Sequence, residues 1–185
     1  MKEAKRNTLT VIGCVCFALS FVLNIFNLIQ YRTVGGILGL IVYLLLILAL
    51  AFRNPLLIVA AGICLVVVEC IGGAVTDYLV FRRLGSLVAL LQGILNVVTS
   101  VLILLLGLSK RKSVPLGWCA AALLLLTAIL VYFGWHIPAL HGLPQQITVL
   151  KVVLSLAAII GWIVTGYLRS EMPSVGEAWK RLLNK

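Results

Sequence analysis

The chain of 185 residues is 63% hydrophobic and only 11% charged, and its mean hydropathy is +1.19. Soluble domains carry about 45–50% apolar and about 25% charged residues. The composition therefore excludes a soluble globular domain, a disordered chain and a nucleic-acid-binding domain, although the net charge is +10. In a membrane protein, such an excess of Lys and Arg is expected to face an anionic lipid surface.

Six apolar stretches are each about as long as the 20-residue helix that crosses a bilayer. None alternates like a barrel strand, and a backbone in lipid must satisfy its own hydrogen bonds. The sequence therefore predicts an all-α integral membrane protein with a six-helix transmembrane domain over residues 1–170. Asn54-Pro55 and Pro115 are typical of helix starts. The predicted spans are Thr8–Gln30, Gly35–Arg53, Pro55–Asp77, Gly85–Leu108, Leu116–Trp135 and Ile147–Leu168.

Residues 171–185 form a separate, amphipathic tail. Ser174-x-x-Glu177 is the pattern of a helix capping box. Apolar residues from Val175 to Leu183 follow helical spacing, with Lys180 and Arg181 beside them. This pattern predicts a helix that lies on the cytoplasmic membrane surface, and a docking site for a cytoplasmic partner is the alternative.

The distribution of Lys and Arg predicts the orientation of the chain in the cell membrane. Loops and termini on the side of the N-terminus carry eleven of them, Arg169 included, and the opposite side carries four. The more basic side is expected to be cytoplasmic, so we expect both termini in the cytoplasm.

Cysteine and histidine indicate neither a metal nor a cofactor. All five cysteines fall within predicted spans, none forms a Cys-x-x-Cys pair, and packing is their expected role. His136 and His141 lie in the last outer loop with no third ligand near in sequence.

Two pairs of small residues mark helix faces that can approach another helix closely. They are Gly35-x-x-x-Gly39 and Ala157-x-x-x-Gly161. Packing within the chain is the favoured interpretation. A membrane-protein partner bound through the Gly35/Gly39 or Ala157/Gly161 face is the alternative.

Polar residues recur at a similar depth, about eight residues or roughly 12 Å inward from the outer ends of the spans. Such side chains usually face a bundle interior or a wet cavity. The sequence thus predicts an outward-facing cavity, and hydrogen bonds that join helices are the alternative interpretation. The candidate ligand-binding residues are Asn24, Tyr43, Glu69, Gln92, Asn96 and Ser155.

Glu69 is the sharpest of these candidates, because a charge at mid-span costs about 2.5–3.5 kcal/mol on insertion scales. Lys151 is a tempting partner, but side chains lean toward their helix N-terminus, which separates these two in depth. Gln92, on the next antiparallel helix, is the predicted partner. A protonated acid that only packs is the alternative. Asp77, Arg82 and Arg83 are expected in the solvated outer loop.

Three functions fit these patterns. The favoured one is binding or transport of a small polar or cationic solute from outside. The alternatives are a structural or assembly subunit and, third, an intramembrane enzyme acting on outer-leaflet lipid, although no catalytic motif is present. Six short-looped spans with both ends inside are similar in outline to the substrate-binding subunits of energy-coupling-factor vitamin transporters. The Ala-x-x-x-Ala pattern of those subunits corresponds here only to Cys14 and Ala18.

Overall fold

The structure is a computed structural model that describes residues 3–31, 34–141 and 149–184, and the regular structure in these ranges is helical throughout. A π-helical turn, Glu69–Gly73, joins the third and fourth helices. Two 3₁₀ turns, Gly134–His136 and Pro138–Leu140, follow the sixth. The helices are α1 (Glu3–Tyr31), α2 (Val34–Ala51), α3 (Pro55–Val68), α4 (Ala74–Leu84), α5 (Leu87–Leu108), α6 (Ser113–Phe133), α7 (Val149–Glu171) and α8 (Val175–Leu183).

Length and composition make the chain a multi-pass membrane protein. Within the described ranges, five helical segments are long and apolar enough to cross a membrane, and α2 adds a shorter apolar helix, Ile37–Ala51. The prediction of an all-α membrane bundle is confirmed. Apolar side chains such as Val15, Leu44, Ile63 and Leu126 are exposed on the outside of the bundle, where they contact lipid. The five segments are Glu3–Val22, Pro55–Leu84, Leu87–Leu108, Ser113–Phe133 and Val152–Glu171.

The third span is longer than predicted, because α3, the π turn and α4 form one 30-residue helix, Pro55–Leu84. The placement of Asp77, Arg82 and Arg83 in an outer loop was wrong, because all three lie on α4, although Arg82 and Arg83 are exposed. Asp77 lies on α4, half-buried against α5, where a methyl group at Gly93 would be 3.1 Å from its Cβ. The one acidic side chain of Asp77 therefore does not mark the end of the third span. The helix ends at Gly85, whose φ of 67° is left-handed and whose N–H donates to the Phe81 carbonyl.

The helix starts agree with the sequence in one case and differ in the other. Asn54 caps α3 as predicted, because its Oδ1 accepts from the Leu56 N–H at 3.0 Å and Pro55 follows it. α6 begins at Ser113, so that Pro115 is in its first turn rather than at its first position. Proline is tolerated there because the first N–H groups of a helix have no partner within the helix.

The helices form a closed ring. In the order α1, α2, α3 with α4, α5, α6 and α7, each packs against the next, and α7 returns to α1. Arg6, Arg53 and Arg181 line one cavity at an end of this ring, and we call that end the basic end. The opposite end, which carries Arg82, Gly85 and His136, is called the far end.

Glycines let the helices approach closely in the half of the bundle near the basic end. A methyl group at Gly62 of α3 would be 2.7 Å from the Leu104 Cα of α5. One at Gly117 of α6 would be 3.0 Å from the Gly166 Cα of α7. Fully buried side chains fill the same half, so it holds the dense core of the protein. They include Leu46, Leu50, Ile58, Leu106 and Ala120.

The Ala157–Gly161 face is used inside the chain. A methyl group at Gly161 would be 2.8 Å from the Phe17 Cε1, and Ala157 and the neighbouring Thr165 are buried. This face therefore packs on α1 and offers no surface to another protein. The surroundings of Gly35 lie outside the described residues, and Gly39 lines the cavity described below.

Arg169 does not face a lipid headgroup, so its assignment to the lipid-facing basic residues was wrong. Its side chain is fully buried. Its Nε donates to the Gly107 carbonyl at 2.9 Å and its Nη1 donates to the Pro173 carbonyl at 3.0 Å. Gly107 is in the last turn of α5, where carbonyls lack partners within the helix. The guanidinium supplies the hydrogen bonds that these carbonyls need.

The tail forms α8 with the predicted capping box. The Glu177 N–H donates to the Ser174 Oγ at 3.3 Å, and the Ser174 N–H donates to the Glu177 Oε2 at 2.9 Å. The backbone hydrogen bond from Ser174 lowers the pKa of the Glu177 carboxyl below its usual range. Trp179, Leu182 and Leu183 are exposed. This apolar face makes α8 an amphipathic helix suited to a membrane interface.

We expect Gly117→Ala to destabilise the bundle. The new methyl group would be 2.8 Å from the Trp162 carbonyl oxygen, so α6 and α7 would have to separate. Overpacking of this kind costs about 1–3 kcal/mol. Gly176→Ala is the control, because nothing lies within 4 Å of its added methyl group. The measurement is the thermal unfolding midpoint in detergent, and equal midpoints for both variants would contradict this account of α6–α7 packing.

Candidate functional site

A cavity of about 260 Å³ lies inside the ring, near the middle of the bundle. The helices α2, α3, α5, α6 and α7 and the start of the π turn all contribute to its wall. The dense core lies between this cavity and the basic end. The lining residues include Gly39, Tyr43, Glu69, Asn96, Thr99, Ser100, Leu124 and Trp162.

Glu69 is the only Asp, Glu, Lys or Arg among the described residues that line this cavity. It is the first residue of the π turn and lies near the middle of the 30-residue helix Pro55–Leu84. π-Helical turns inside α-helices occur frequently at functional sites. In the described part of the chain, no residue donates a hydrogen bond to its carboxylate.

Gly73 makes room for the Glu69 side chain. A methyl group at Gly73 would overlap the Glu69 Oε2, whereas nothing lies within 4 Å of a methyl group at Gly72. The carboxylate therefore lies against the helix surface over a residue that has no Cβ. The position of the charge depends on glycine at 73 but not at 72.

Aromatic rings form the wall on the side of α1, α2 and α7. The Phe17 and Trp162 rings meet edge to face, with centroids 5.4 Å apart, and Phe17 is 6.3 Å from the Tyr43 ring. Phe17 is fully buried behind the other two, which line the cavity. The cavity thus combines a carboxylate with the rings of Tyr43 and Trp162.

The hydroxyl groups in the wall donate to their own helix. The Thr99 Oγ1 donates to the Leu95 carbonyl at 2.7 Å, and the Ser100 Oγ donates to the Val97 carbonyl at 2.8 Å. Each oxygen keeps acceptor capacity after its proton is used. These two residues therefore add acceptors to the cavity wall, and the bonds described here do not join helices.

Three of the six predicted site residues lie together in this cavity, namely Tyr43, Glu69 and Asn96. Gln92 lies outside it, in a second cavity. Ser155 is on α7, where its Oγ is 3.3 Å from the Tyr132 hydroxyl of α6. Asn24 is on α1, but its side chain lies outside the described residues.

The predicted pairing of Glu69 with Gln92 is not formed. Gln92 lines a cavity of about 170 Å³ with Asp77 and Ser86, nearer the far end. The longer third helix places Glu69 deeper than predicted and beside Asn96, one turn further along α5. The side chain of Lys151, the other partner considered, lies outside the described residues.

A second carboxyl group, Asp77, lies on the same helix, Pro55–Leu84. It is two helical turns beyond Glu69, in the direction of the far end. Like charges on one helix repel, so a positively charged ligand between two ionised carboxylates would be favoured.

In the ranges that the structure describes, no group of three His, Cys, Asp or Glu residues could hold a metal ion. His136 and His141 are exposed, and residues 142–148 of the same loop lie outside the described ranges. The groups that the cavity offers are a carboxyl group, aromatic rings and neutral acceptors.

Two features of the site were not predicted from the sequence. Trp162 lines the cavity but was not among the candidates, because the prediction rested on polar side chains at a similar depth. The role of Gly73 was also missed. The sequence does indicate an irregular helix at this place, because Gly72 and Gly73 are adjacent within an apolar segment. Two adjacent glycines weaken the regular geometry of a helix.

The chain was compared with known proteins. No protein-family model, curated protein or solved structure matches it.

A double-mutant cycle tests the contact between Gly73 and Glu69. Replacing a helical glycine by alanine stabilises a helix by up to about 1 kcal/mol, and Gly72→Ala is expected to show this gain. Gly73→Ala should not show this gain in stability, because the Glu69 carboxylate would have to rotate away from the new methyl group. In a Glu69→Ala background the two alanine variants should become equally favourable.

The measurement for this cycle is the unfolding midpoint of each variant in detergent. A coupling of zero between positions 69 and 73 would show that the Glu69 carboxylate does not lie over Gly73.

Proposed function

We propose that the protein binds a small organic cation in its central cavity and moves it across the membrane. The observation that carries this proposal is the meeting of one carboxylate, Glu69, with the rings of Tyr43 and Trp162 in a cavity lined by no other charged side chain that the structure describes. A cation-binding site in proteins commonly uses this combination of an acid and aromatic faces.

The physical reason is the free energy that it costs to bury the Glu69 carboxylate. A charge buried without a partner in apolar surroundings is strongly unfavourable. A cation that enters the cavity supplies the missing partner. It is also attracted to the faces of Tyr43 and Trp162, and this attraction is larger when the cation has lost its water. Thr99 and Ser100 contribute acceptors for any N–H group of the ligand.

The size of the cavity restricts the ligand. Small-molecule pockets usually have volumes of about 300–1,000 Å³. A cavity of about 260 Å³ is at the small end, so it suits an amine or ammonium compound with few carbon atoms. A large hydrophobic cation would require the helices to separate.

Entry from the far end is part of the proposal. Asp77 and Gln92 line the cavity between the far end and Glu69, so a cation would meet one carboxylate before the other. The dense core blocks the opposite direction in this conformation. Release on the other side therefore needs a conformational change in the half that contains Gly62 and Gly117.

A structural or assembly role is the alternative. The Ala157–Gly161 face, one of the two proposed for a partner, is covered by Phe17. Assembly would therefore depend on other surfaces, such as the exposed apolar face of α8. Such a role gives no part to Glu69, whose carboxyl group accepts no hydrogen bond from the described residues.

Ligand-dependent stability tests the cation site. Tetramethylammonium should raise the unfolding midpoint of the purified protein, and tert-butyl alcohol, its uncharged counterpart, should not. A ligand at 100 times its Kd adds about 2.7 kcal/mol of stability. Glu69→Gln should abolish the effect and Trp162→Leu should reduce it. Glu3→Gln, which removes an exposed acid, is the matched control and should behave as the wild type.

Stabilisation by tetramethylammonium that persists in Glu69→Gln would exclude this residue from the site. Equal stabilisation by the uncharged compound would exclude a cation as the ligand.

We also propose that the basic end faces the cytoplasm of a cell whose plasma membrane contains the protein, since Lys and Arg are enriched on cytoplasmic loops. Reporter fusions at Asn7 and Lys112 should then report a cytoplasmic location, as should one at the C-terminus. A fusion at Gly142 should report the outside. An external signal at Lys112 would reverse the orientation and, with it, the direction of entry.

A further inference from the structure

A second charged cavity, of about 270 Å³, lies at the basic end and is separate from the proposed cation site. The start of α1, the turn between α2 and α3, the end of α7 with the connection that follows it, and α8 form this cavity. Arg6 is on α1, Arg53 is in the turn and Arg181 is on α8. The lining residues that carry the argument are Arg6, Arg53, Arg181, Glu171 and Phe52.

The three arginines differ in their hydrogen-bond partners and in their exposure. The Arg53 Nη2 donates to the Asn7 Oδ1 at 2.7 Å, and the backbone of Arg53 has a left-handed φ of 51°, which is uncommon for a residue other than glycine. The Nε of Arg6 is buried and has no hydrogen-bond partner in the described part of the chain. Arg181 is exposed on α8.

The charges in this cavity do not balance. Glu171 supplies one negative charge against three guanidinium groups in the lining. Glu3, outside the lining, also pairs with Arg6, with its Oε1 3.5 Å from the Arg6 Nη2. The three arginines therefore meet two acids, and an excess of one positive charge remains. Like charges that share a cavity repel one another, so the arrangement favours an anion. Guanidinium groups match the oxygens of a phosphate in geometry, and several of them can share one phosphate.

The surroundings identify the source of the phosphate as a lipid. The cavity is also lined by Leu50, Phe52 and Met172, and the Phe52 side chain is 74% exposed. α8 places Trp179 and Leu182, both exposed, at the same end of the bundle. Basic pockets among transmembrane helices at the membrane surface are a recognised form of headgroup site.

We propose that Arg6, Arg53 and Arg181 bind the phosphate group of an anionic lipid headgroup at the basic end of the bundle. The acyl chains would lie along Phe52 and the apolar face of α8. Because one arginine is on α8, the bound lipid would connect the tail to the transmembrane helices. This inference does not depend on the cation site.

The test uses purified full-length protein in a neutral detergent and three additives. They are short-chain phosphatidylglycerol, short-chain phosphatidylcholine and inorganic phosphate. Native mass spectrometry counts the bound lipid, and the unfolding midpoint reports the affinity. Phosphatidylglycerol should bind and stabilise the wild type. Phosphatidylcholine, which has no net charge, should bind more weakly.

The variants distinguish a specific lipid site from general electrostatic attraction between the lipid and the basic protein. Arg53→Gln and Arg181→Gln should each weaken phosphatidylglycerol binding about tenfold, the loss expected for one charge-assisted contact. Arg181 is exposed, so its replacement should leave the fold intact. The triple variant of Arg6, Arg53 and Arg181 should not retain the lipid. The matched triple replacement of Lys5, Arg111 and Lys112, exposed residues with the same total charge, should retain it.

Equal loss of phosphatidylglycerol in both triple variants would overturn the proposal, because net charge alone would then explain binding. Stabilisation by inorganic phosphate as strong as that by phosphatidylglycerol would overturn the lipid assignment.

Discussion

The backbone of this protein must satisfy its hydrogen bonds internally, since lipid offers none, and much of the structure follows from this constraint. The spans are helices, and the hydroxyls of Thr99 and Thr165 bond to carbonyls of their own helix. Arg169 serves the same need at the basic end, where it reaches the carbonyls of Gly107 and Pro173. The threonine bonds thus stay within one helix, whereas the Arg169 bond to Gly107 joins α7 to α5. Close contact at glycines such as Gly62 and Gly117 also brings neighbouring helices together.

The glycine contacts help to locate the cavity. Gly62, Gly107, Gly117 and Gly166 fall in the half of the bundle near the basic end, where backbones approach and fully buried side chains fill the space. Gly93 and Gly161 also pack closely, but each contacts only the neighbouring helix in the ring. Tyr43 and Trp162 line the cavity inside the ring, beyond the dense core.

The sequence predicted features that depend on length and hydropathy, and missed those that depend on backbone geometry. Continuous apolar runs were sufficient to predict an all-α membrane bundle, although the third span is longer than predicted. The Ser174-x-x-Glu177 spacing was sufficient to predict the cap of α8. The π turn carries an additional residue, so the faces beyond Glu69 differ from those of a regular α-helix. This change could not be read from a 3.6-residue repeat, and the pairing with Gln92 and the loop position of Asp77 were wrong. Counting charges likewise treats every arginine as exposed, which Arg169 is not.

The alternative of a purely packing role for Glu69 is weakened by its surroundings. An acid retained for packing would be expected to share its proton with a nearby acceptor or to accept a bond from a donor, since an unsatisfied buried group costs about 1–3 kcal/mol or more. Glu69 instead lies over Gly73 and shares its cavity with the rings of Tyr43 and Trp162, while no described residue donates a hydrogen bond to it. Aromatic faces repel an isolated carboxylate, whereas they attract a cation. Under the proposed function, a cation beside Glu69 would therefore gain from both the acid and the rings.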